Sequence, residues 1–191
     1  MEFIDERTIG LGRELSDLDN FVLKFTDILQ KHISYVLISG YVAIIFGRSR
    51  TTEDVDLFIE RLSKEHFINL YDDLIKNGFW TINTDDVDEL YSMLNDNLAI
   101  RFAEKNKSIP NIEMKFIKDT LDRLALNDKI KVVTKKGELW VSNIEMQIAY
   151  KKYVLASDKD KEDALHLQNV FNISEEKINK YKVLLKQYGR I

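Results

Sequence analysis

The apolar positions of the chain alternate between helical spacing and short continuous runs, which predicts helices interleaved with strands. The first amphipathic helix starts near Leu18, where Ser16 or Asp17 is placed to cap it. A continuous apolar run over residues 35–38 then predicts a buried strand that ends in a tight turn at Ser39 and Gly40. A short helix over 41–46 and a polar link lead into a second strand over 54–59.

The middle of the chain continues this mixed pattern without an internal repeat. Ser63 is placed to cap a third helix, and Asn77 with Gly78 is typical of its end. Further helices are predicted over residues 87–94 and 121–126. Further strands are predicted over 79–82, 98–102, 112–117, 130–133 and 139–141, the last two as a hairpin.

From Ser142 onward the pattern is helical. Ser142 and Glu145 have the spacing of a capping box, and helical periodicity follows over 150–156, 164–170 and 178–185. We therefore expect an α+β fold in which a mixed β-sheet is flanked by helices. Residues 1–141 would form the core and residues 142–191 a C-terminal helical region packed on it.

Composition narrows the class of protein and of site. With 45% hydrophobic and 31% charged residues, the chain resembles an ordinary globular protein, and no apolar run reaches the roughly 20 residues of a membrane span. The N-terminal residues lack the pattern of a secretory signal, so we expect a cytoplasmic location and no membrane partner. There is no cysteine and the three histidines are scattered, so any metal should be bound by oxygen.

The charge argues against one class of partner. A net charge of −4 is unfavourable for sequence-specific duplex DNA binding, which depends on a basic surface. Lysines are more frequent over residues 105–118 and 151–161, but the acidic residues between them make solvated helix or strand faces the simpler interpretation.

Four Asp-x-Asp pairs occur in the chain, and their context separates them. Three lie at or beside predicted helix starts, where carboxylates favour the positive end of the helix dipole: Asp17 with Asp19, Asp86 with Asp88, and Asp158 with Asp160. Only Asp54 and Asp56 lie within an apolar strand, where both carboxylates project from one face while Val55 and Leu57 point into the core. The alternative is an exposed edge strand with solvated acids.

Paired carboxylates on a strand suit a divalent cation. Two neighbouring anions repel each other, and Mg²⁺ resolves this by binding a few carboxylate oxygens together with substrate phosphates. The small residues Ser39 and Gly40, just upstream, leave room for a phosphate to approach the backbone. The combination predicts phosphoryl transfer with two metal ions, Mg²⁺ or Mn²⁺, at Asp54 and Asp56.

A two-metal site normally has a third carboxylate. Glu113 is the first candidate, as a metal ligand or a base, because it is the only acid inside the strand predicted over 112–117, and Glu104 is the second. A surface strand residue paired with a lysine is the alternative for Glu113. Arg48 and Arg50 are placed either to clamp phosphate or to cap the helix and pair with Glu53.

These residues carry a family resemblance. Ser39-Gly40 at the start of a helix, followed by Asp54-Val55-Asp56, resembles the signature of the DNA polymerase β-type nucleotidyltransferase superfamily. The run Gly-x-x-Arg-x-Thr-x-Asp-x-Asp from Gly47 to Asp56 is similar to the AbiEii-like, minimal nucleotidyltransferase branch. The chain departs from the family pattern with serine at 39, where glycine is usual, and phenylalanine at 46, where relatives often have histidine.

The resemblance implies an enzyme that uses an NTP such as ATP and a divalent metal to transfer a nucleoside monophosphate. The acceptor would be a hydroxyl on RNA such as tRNA, on protein or on a small molecule. The residues predicted to contact the nucleotide are Ser39, Gly40, Arg48, Arg50 and Thr52. The competing hypothesis is a nucleotidyltransferase-fold binding protein, an antitoxin or regulator of a toxin–antitoxin pair, whose chemistry is weakened or lost.

Overall fold

Nine strands form one mixed sheet with helices on both faces, in a computed structural model that describes all residues from Met1 to Ile191. The strands are β1 Glu2–Asp5, β2 Thr8–Gly10, β3 Tyr35–Leu37, β4 Asp54–Ile59, β5 Phe79–Thr81, β6 Ile100–Glu104, β7 Asn111–Phe116, β8 Ile130–Val133 and β9 Glu138–Val141. The α-helices are α1 Asp17–Leu29, α2 Gly40–Ile45, α3 Lys64–Lys76, α4 Val87–Asn95, α5 Thr120–Asn127, α6 Ile144–Tyr150, α7 Asp158–Phe171 and α8 Glu175–Gln187. The predicted mixed sheet flanked by helices is confirmed.

Strand β4 lies in the middle of the sheet, whose order is β1-β2-β8-β9-β3-β4-β7-β6-β5. It pairs antiparallel with β3 and parallel with β7, and β7 pairs antiparallel with β6. Directly paired residues share a face, so the residues of β6 and β7 opposite β4 share its polar face. An exposed edge strand is therefore excluded for β4.

The helix starts follow from capping residues in the sequence. The Ser16 hydroxyl accepts a hydrogen bond from the Asp19 N–H, and the Asp19 carboxylate accepts one from the Ser16 N–H, so α1 begins with a capping box. Ser63 caps α3 in the same way through the His66 N–H. Gly78 adopts a φ of +88° just after this helix, a conformation that glycine reaches without strain. The predictions at Ser16, Ser63 and Gly78 are confirmed.

Three local predictions were wrong. Asn143, instead of Ser142, caps α6, because Ser142 is still extended and its N–H donates to the Leu37 carbonyl. The helix predicted over 150–156 is a π-helical turn, Lys151–Leu155, that follows α6 directly. The strand predicted over 98–102 begins two residues later, at Ile100.

The N-terminal hairpin of β1 and β2 was not predicted. All four residues of β1 are exposed, so this strand has no alternation of buried and exposed positions for a sequence pattern to report. Strand β2 joins the sheet by pairing parallel with β8, more than 120 residues away. That pairing is a tertiary contact, which local sequence does not encode.

One hydrophobic core extends across the sheet and into the C-terminal helices. It includes Val55 and Leu57 of β4 together with Ile148, Leu167 and Ile178 from α6, α7 and α8. None of the helices is both long and apolar enough to cross a bilayer. The division of the chain near residue 142 stays a prediction.

Candidate active site

The two strand carboxylates project from one face of β4. Asp54 and Asp56 are partly exposed, whereas Val55, Leu57 and Ile59 are fully buried beneath them. In the register with β7, Asp54 lies opposite Asn111 and Asp56 opposite Glu113. The alternation along β4 and the pairing with β7 therefore bring all three acids to one face, as the sequence predicted for Asp54 and Asp56.

Asp54 accepts hydrogen bonds from a residue of the paired strand β7 and from the segment that precedes β4. The Asn111 side-chain amide donates to its Oδ1 at 2.8 Å, and the Thr52 hydroxyl donates to its backbone carbonyl at 2.9 Å. Thr52 therefore shapes the start of the strand. Its predicted contact with the nucleotide stays a prediction.

Asp56 and Glu113 share one lysine. The Lys115 ammonium lies 3.4 Å from Asp56 Oδ1 and 3.2 Å from Glu113 Oε2. Arg101 on β6 holds the other oxygen of Glu113, with its Nε donating to Oε1 at 2.8 Å. The structure thus places Glu113 in ion pairs with a lysine and an arginine, which is close to the alternative of a strand residue paired with a lysine. Its role as a metal ligand or base stays a prediction.

Burial and neighbouring charges shift the pKa values of Asp56, Glu113 and Lys115, and the directions differ between the two acids. Burial raises the pKa of Asp56, and the nearby charge of Glu113 adds to the rise while Lys115 opposes it. Burial also acts to raise the pKa of Glu113, but the hydrogen bond from Arg101 and the charge of Lys115 outweigh it and the pKa is lowered. Burial disfavours the Lys115 ammonium, yet the charges of Asp56 and Glu113 raise its pKa. Lys115 therefore remains a cation at neutral pH.

Glu104 lies outside this cluster. Its carboxylate pairs with Lys24 at 2.9 Å and with Lys107 at 2.8 Å, near the end of β6. These pairs are partly solvent-exposed and account for its side chain without a role at the site.

The turn between β3 and α2 is strained. Ser39 has φ 63° and ψ −134°, a backbone conformation that residues other than glycine rarely adopt. The Gln147 side-chain amide of α6 donates to the Ser39 carbonyl at 2.8 Å, and the Ser142 hydroxyl donates to the Gln147 Oε1 at 3.1 Å. The C-terminal region therefore holds the turn in place.

Arg50 packs against the other residue of the turn. A Cβ atom built on Gly40 would lie only 1.9 Å from the Arg50 Nη2, so glycine is what allows this guanidinium to approach the backbone. Arg48 and Arg50 also face the fully buried carboxylate of Asp163 on α7, at 3.6 Å and 3.5 Å. Both arginines form their ion pairs with α7, and Arg48 also pairs with Glu162. The pairing with Glu53, one of the two alternatives weighed for them, is not formed.

A cavity of about 270 Å³ opens beside the carboxylates. Asp56, Lys115 and Ser39 all line it, so one carboxylate of β4, its lysine partner and the first residue of the turn face the same space. The remaining walls come mainly from β4, β7, α5, α6 and the π-helical turn, with apolar side chains such as Phe58, Leu121 and Leu155. A lining of polar and apolar side chains next to charged groups is typical of a small-molecule site.

Two of the carboxylates offer ligands that a hard cation could use. No group of three acidic or histidine side chains converges closely enough to hold a metal ion. Asp54 and Asp56 nevertheless offer oxygen ligands on one face, and the neighbouring Asn111 Oδ1 is buried without a hydrogen-bond partner. Mg²⁺ commonly binds through one or two carboxylates and substrate phosphates, so the pair fits such an ion.

Several residues of the site were missed from the sequence. Lys115 was assigned to a solvated basic face, although its position two residues after Glu113 on a strand places both side chains on one face. Arg101, Gln147 and Asp163 reach the site from elements distant in sequence. No local pattern marks them, because strand register and helix packing bring them there.

No family model matches the chain, and no curated protein matches its sequence. Solved structures do match the fold. The antibiotic-resistance factor ANT(2'')-Ia superposes with a TM-score of 0.56 at 10% identity, over 88% of this chain and 91% of that one.

Two further structures are similar over most of their length. A nucleotidyltransferase-like protein from Paracoccidioides brasiliensis has a TM-score of 0.52 at 15% identity, over 88% of this chain and 86% of that one. The lincomycin-bound lincosamide antibiotic adenylyltransferase LnuA has a TM-score of 0.52 at 11% identity, over 83% of this chain and 99% of that one. At such low identity the likeness concerns the fold, and this chain has the fold of nucleotidyltransferases.

Proposed function

We propose that the protein transfers a nucleoside monophosphate from an NTP to a hydroxyl group. The observation that carries this proposal is the shared cavity, which is lined both by Asp56 of the Asp54–Asp56 face and by Ser39 of the Ser39–Gly40 turn. Carboxylates to hold a cation and a turn to receive phosphate are the two elements that phosphoryl transfer requires. The run from Gly47 to Asp56 supports placing the chain in the AbiEii-like branch of this fold.

The protein's own residues would bind and orient the nucleotide. The triphosphate would lie over the Ser39–Gly40 turn, next to the Arg50 guanidinium, which can donate to phosphate oxygens. Helix α2 has only six residues, so we expect side-chain charge to contribute more than its dipole. Asp54 and Asp56 would hold Mg²⁺ or Mn²⁺, which supplies positive charge to the phosphate oxygens when bound.

The reaction is a substitution at the α-phosphorus. The acceptor hydroxyl oxygen forms a bond to this phosphorus while the bond from this phosphorus to the oxygen that bridges the α- and β-phosphates breaks. Pyrophosphate leaves with the bonding electrons, and the hydroxyl proton passes to a carboxylate of the site. The acceptors to be tested are tRNA, protein and antibiotics. Antibiotics are included because two of the similar structures are an antibiotic-resistance factor and an antibiotic adenylyltransferase.

A label-transfer experiment tests the proposal. The protein is incubated with each α-labelled NTP, Mg²⁺ or Mn²⁺, and a pool of acceptors. Transfer is expected with the wild type and should fall by about 1000-fold in Asp56→Asn, which keeps the shape of the side chain but loses its charge. Asp88→Asn is the matched control, since Asp88 belongs to another Asp-x-Asp pair and is exposed at the start of α4. Transfer that survives in Asp56→Asn would contradict the proposal.

The ion pairs of Glu113 favour a second candidate function. Glu113, the candidate third carboxylate, is neutralised by its pairs with Arg101 and Lys115. A protein of this fold with such a site could bind nucleotide without transferring it, as expected of an antitoxin or regulator. Binding of an NTP in the presence of Mg²⁺, without transfer to any acceptor, would favour this alternative.

A further inference from the structure

The Lys115 ammonium lies between two carboxylates of the candidate active site. It contacts both Asp56 and Glu113. If Glu113 were the third carboxylate of a two-metal site, the ion next to the acceptor would have to bind at these two acids. We propose that Lys115 supplies the second positive charge of this site, so that the protein works with one divalent cation instead of two. This inference rests on the proposed function.

The sheet register creates the arrangement. Asp56 and Glu113 are paired across β4 and β7, and Arg101 is paired with Glu113 across β6 and β7. Lys115 is two residues beyond Glu113 on β7, so its side chain emerges from the same face. A lysine at this position of the strand is therefore directed at the carboxylates by backbone geometry.

Both oxygens of Glu113 already have partners. Oε1 accepts two hydrogen bonds from the Arg101 guanidinium, and Oε2 accepts one from Lys115. The Glu113 side chain is only 12% exposed, so it has little freedom to turn toward another partner. Mg²⁺ requires oxygen ligands at about 2.0–2.1 Å in a nearly octahedral arrangement. An ion bridging Asp56 and Glu113 would have to displace the ammonium from Asp56 Oδ1 and Glu113 Oε2.

The local charge balance agrees with one ion. The carboxylates of Asp54, Asp56 and Glu113 face the cations Arg101 and Lys115, which leaves one net negative charge on the five side chains. One divalent cation at Asp54 and Asp56 makes the cluster attractive to a triphosphate. A fixed ammonium stabilises developing negative charge without the cost of capturing another ion.

Counting bound Mn²⁺ tests the inference independently of activity. Mn²⁺ is titrated into the protein with a non-hydrolysable NTP analogue, and free Mn²⁺ is measured by electron paramagnetic resonance. The wild type should bind one Mn²⁺ per chain in the ternary complex. Lys115→Met leaves Asp56 and Glu113 without the shared cation, so it should bind two, and its transfer rate should fall by about 100-fold.

Lys105→Met is the matched control, because Lys105 is an exposed lysine just after β6 and should leave the count at one. A wild type that transfers nucleotide and binds two Mn²⁺ overturns the inference while the proposed function stands. A wild type that binds no Mn²⁺ with any NTP analogue overturns both. The number of Mn²⁺ ions bound by the wild type is measured without any substitution, so the test does not depend on the folding of Lys115→Met. Lys115→Gln provides a second variant.

Discussion

At the scale of single residues, the Ser39 backbone shows where the site departs from ordinary protein geometry. A residue other than glycine in this conformation costs about 1–3 kcal/mol, and the surrounding structure has to supply that free energy. The hydrogen bond from Gln147 to the Ser39 carbonyl, supported by Ser142, is one contact that holds the turn in this conformation. Such strain at a candidate phosphate turn is consistent with a preorganised site.

The strain predicts an unusual order of stability among variants of Ser39. Ser39→Gly should be more stable than Ser39→Ala by about 1–2 kcal/mol, because glycine adopts φ 63° without steric cost and alanine does not. Urea denaturation of the two variants measures this difference in the free energy of unfolding.

Ser92 provides the control, since it is exposed in the middle of α4. There the order should reverse, with the glycine variant about 1 kcal/mol less stable than the alanine variant. An alanine variant at position 39 that is at least as stable as the glycine variant would show that the turn is unstrained.

At the scale of elements, the π-helical turn Lys151–Leu155 links the C-terminal helices to the site. It directs the Lys151 ammonium inward, where it donates to Asp163 at 2.9 Å and to Asp160 at 3.1 Å. Leu155, at the other end of the turn, lines the cavity beside Asp56. Since Asp163 also faces Arg48 and Arg50, α7 helps to set the position of the arginines near the Ser39–Gly40 turn.

Removal of the buried lysine should therefore weaken the fold. Lys151 is 1% exposed and Asp163 is fully buried, so Lys151→Met leaves a buried carboxylate without its nearest cation. We expect the free energy of unfolding to fall by about 3 kcal/mol, as measured by chemical denaturation.

The adjacent lysine is a matched control for this substitution. Lys152 forms a partly exposed pair with Glu175, so Lys152→Met should cost at most about 1 kcal/mol. Equal effects of the two substitutions would mean that the Lys151 pair contributes no more than a surface ion pair.

At the scale of the whole molecule, the helical region after residue 142 shares its core with the sheet. Apolar residues of α6, α7 and α8 belong to the same buried cluster as those of the central strands. The polar contacts from Gln147 and Asp163 also cross this boundary. The two regions therefore stabilise each other.

This continuity predicts one cooperative unfolding transition. Far-ultraviolet circular dichroism reports mainly on the helices, and tryptophan fluorescence reports on Trp80 and Trp140, which both lie in the sheet. The two signals should give the same denaturation midpoint, because neither region retains a complete core alone. Separate midpoints for the two signals would instead indicate independently folding units.

Much of the fold follows from local sequence. Helical spacing, strand alternation and capping residues such as Ser16 and Ser63 act over a few residues, so they identify most elements correctly. The boundaries near Ser142 and Ile100 were misjudged, since competing hydrogen bonds with other strands decide where those elements begin.

By itself, the sequence determined that Asp54 and Asp56 share one face of an apolar strand, because side chains alternate along any strand. It also determined that small residues precede them at a turn. Only the tertiary structure decided which groups meet these acids. The pairing of β4 with β7 brings Glu113 and Lys115 to Asp56. The pairing of β7 with β6 brings Arg101 to Glu113, and the packing of α7 brings Asp163 to Arg50. These contacts join residues that are distant along the chain, and their geometry is set by strand register and core packing.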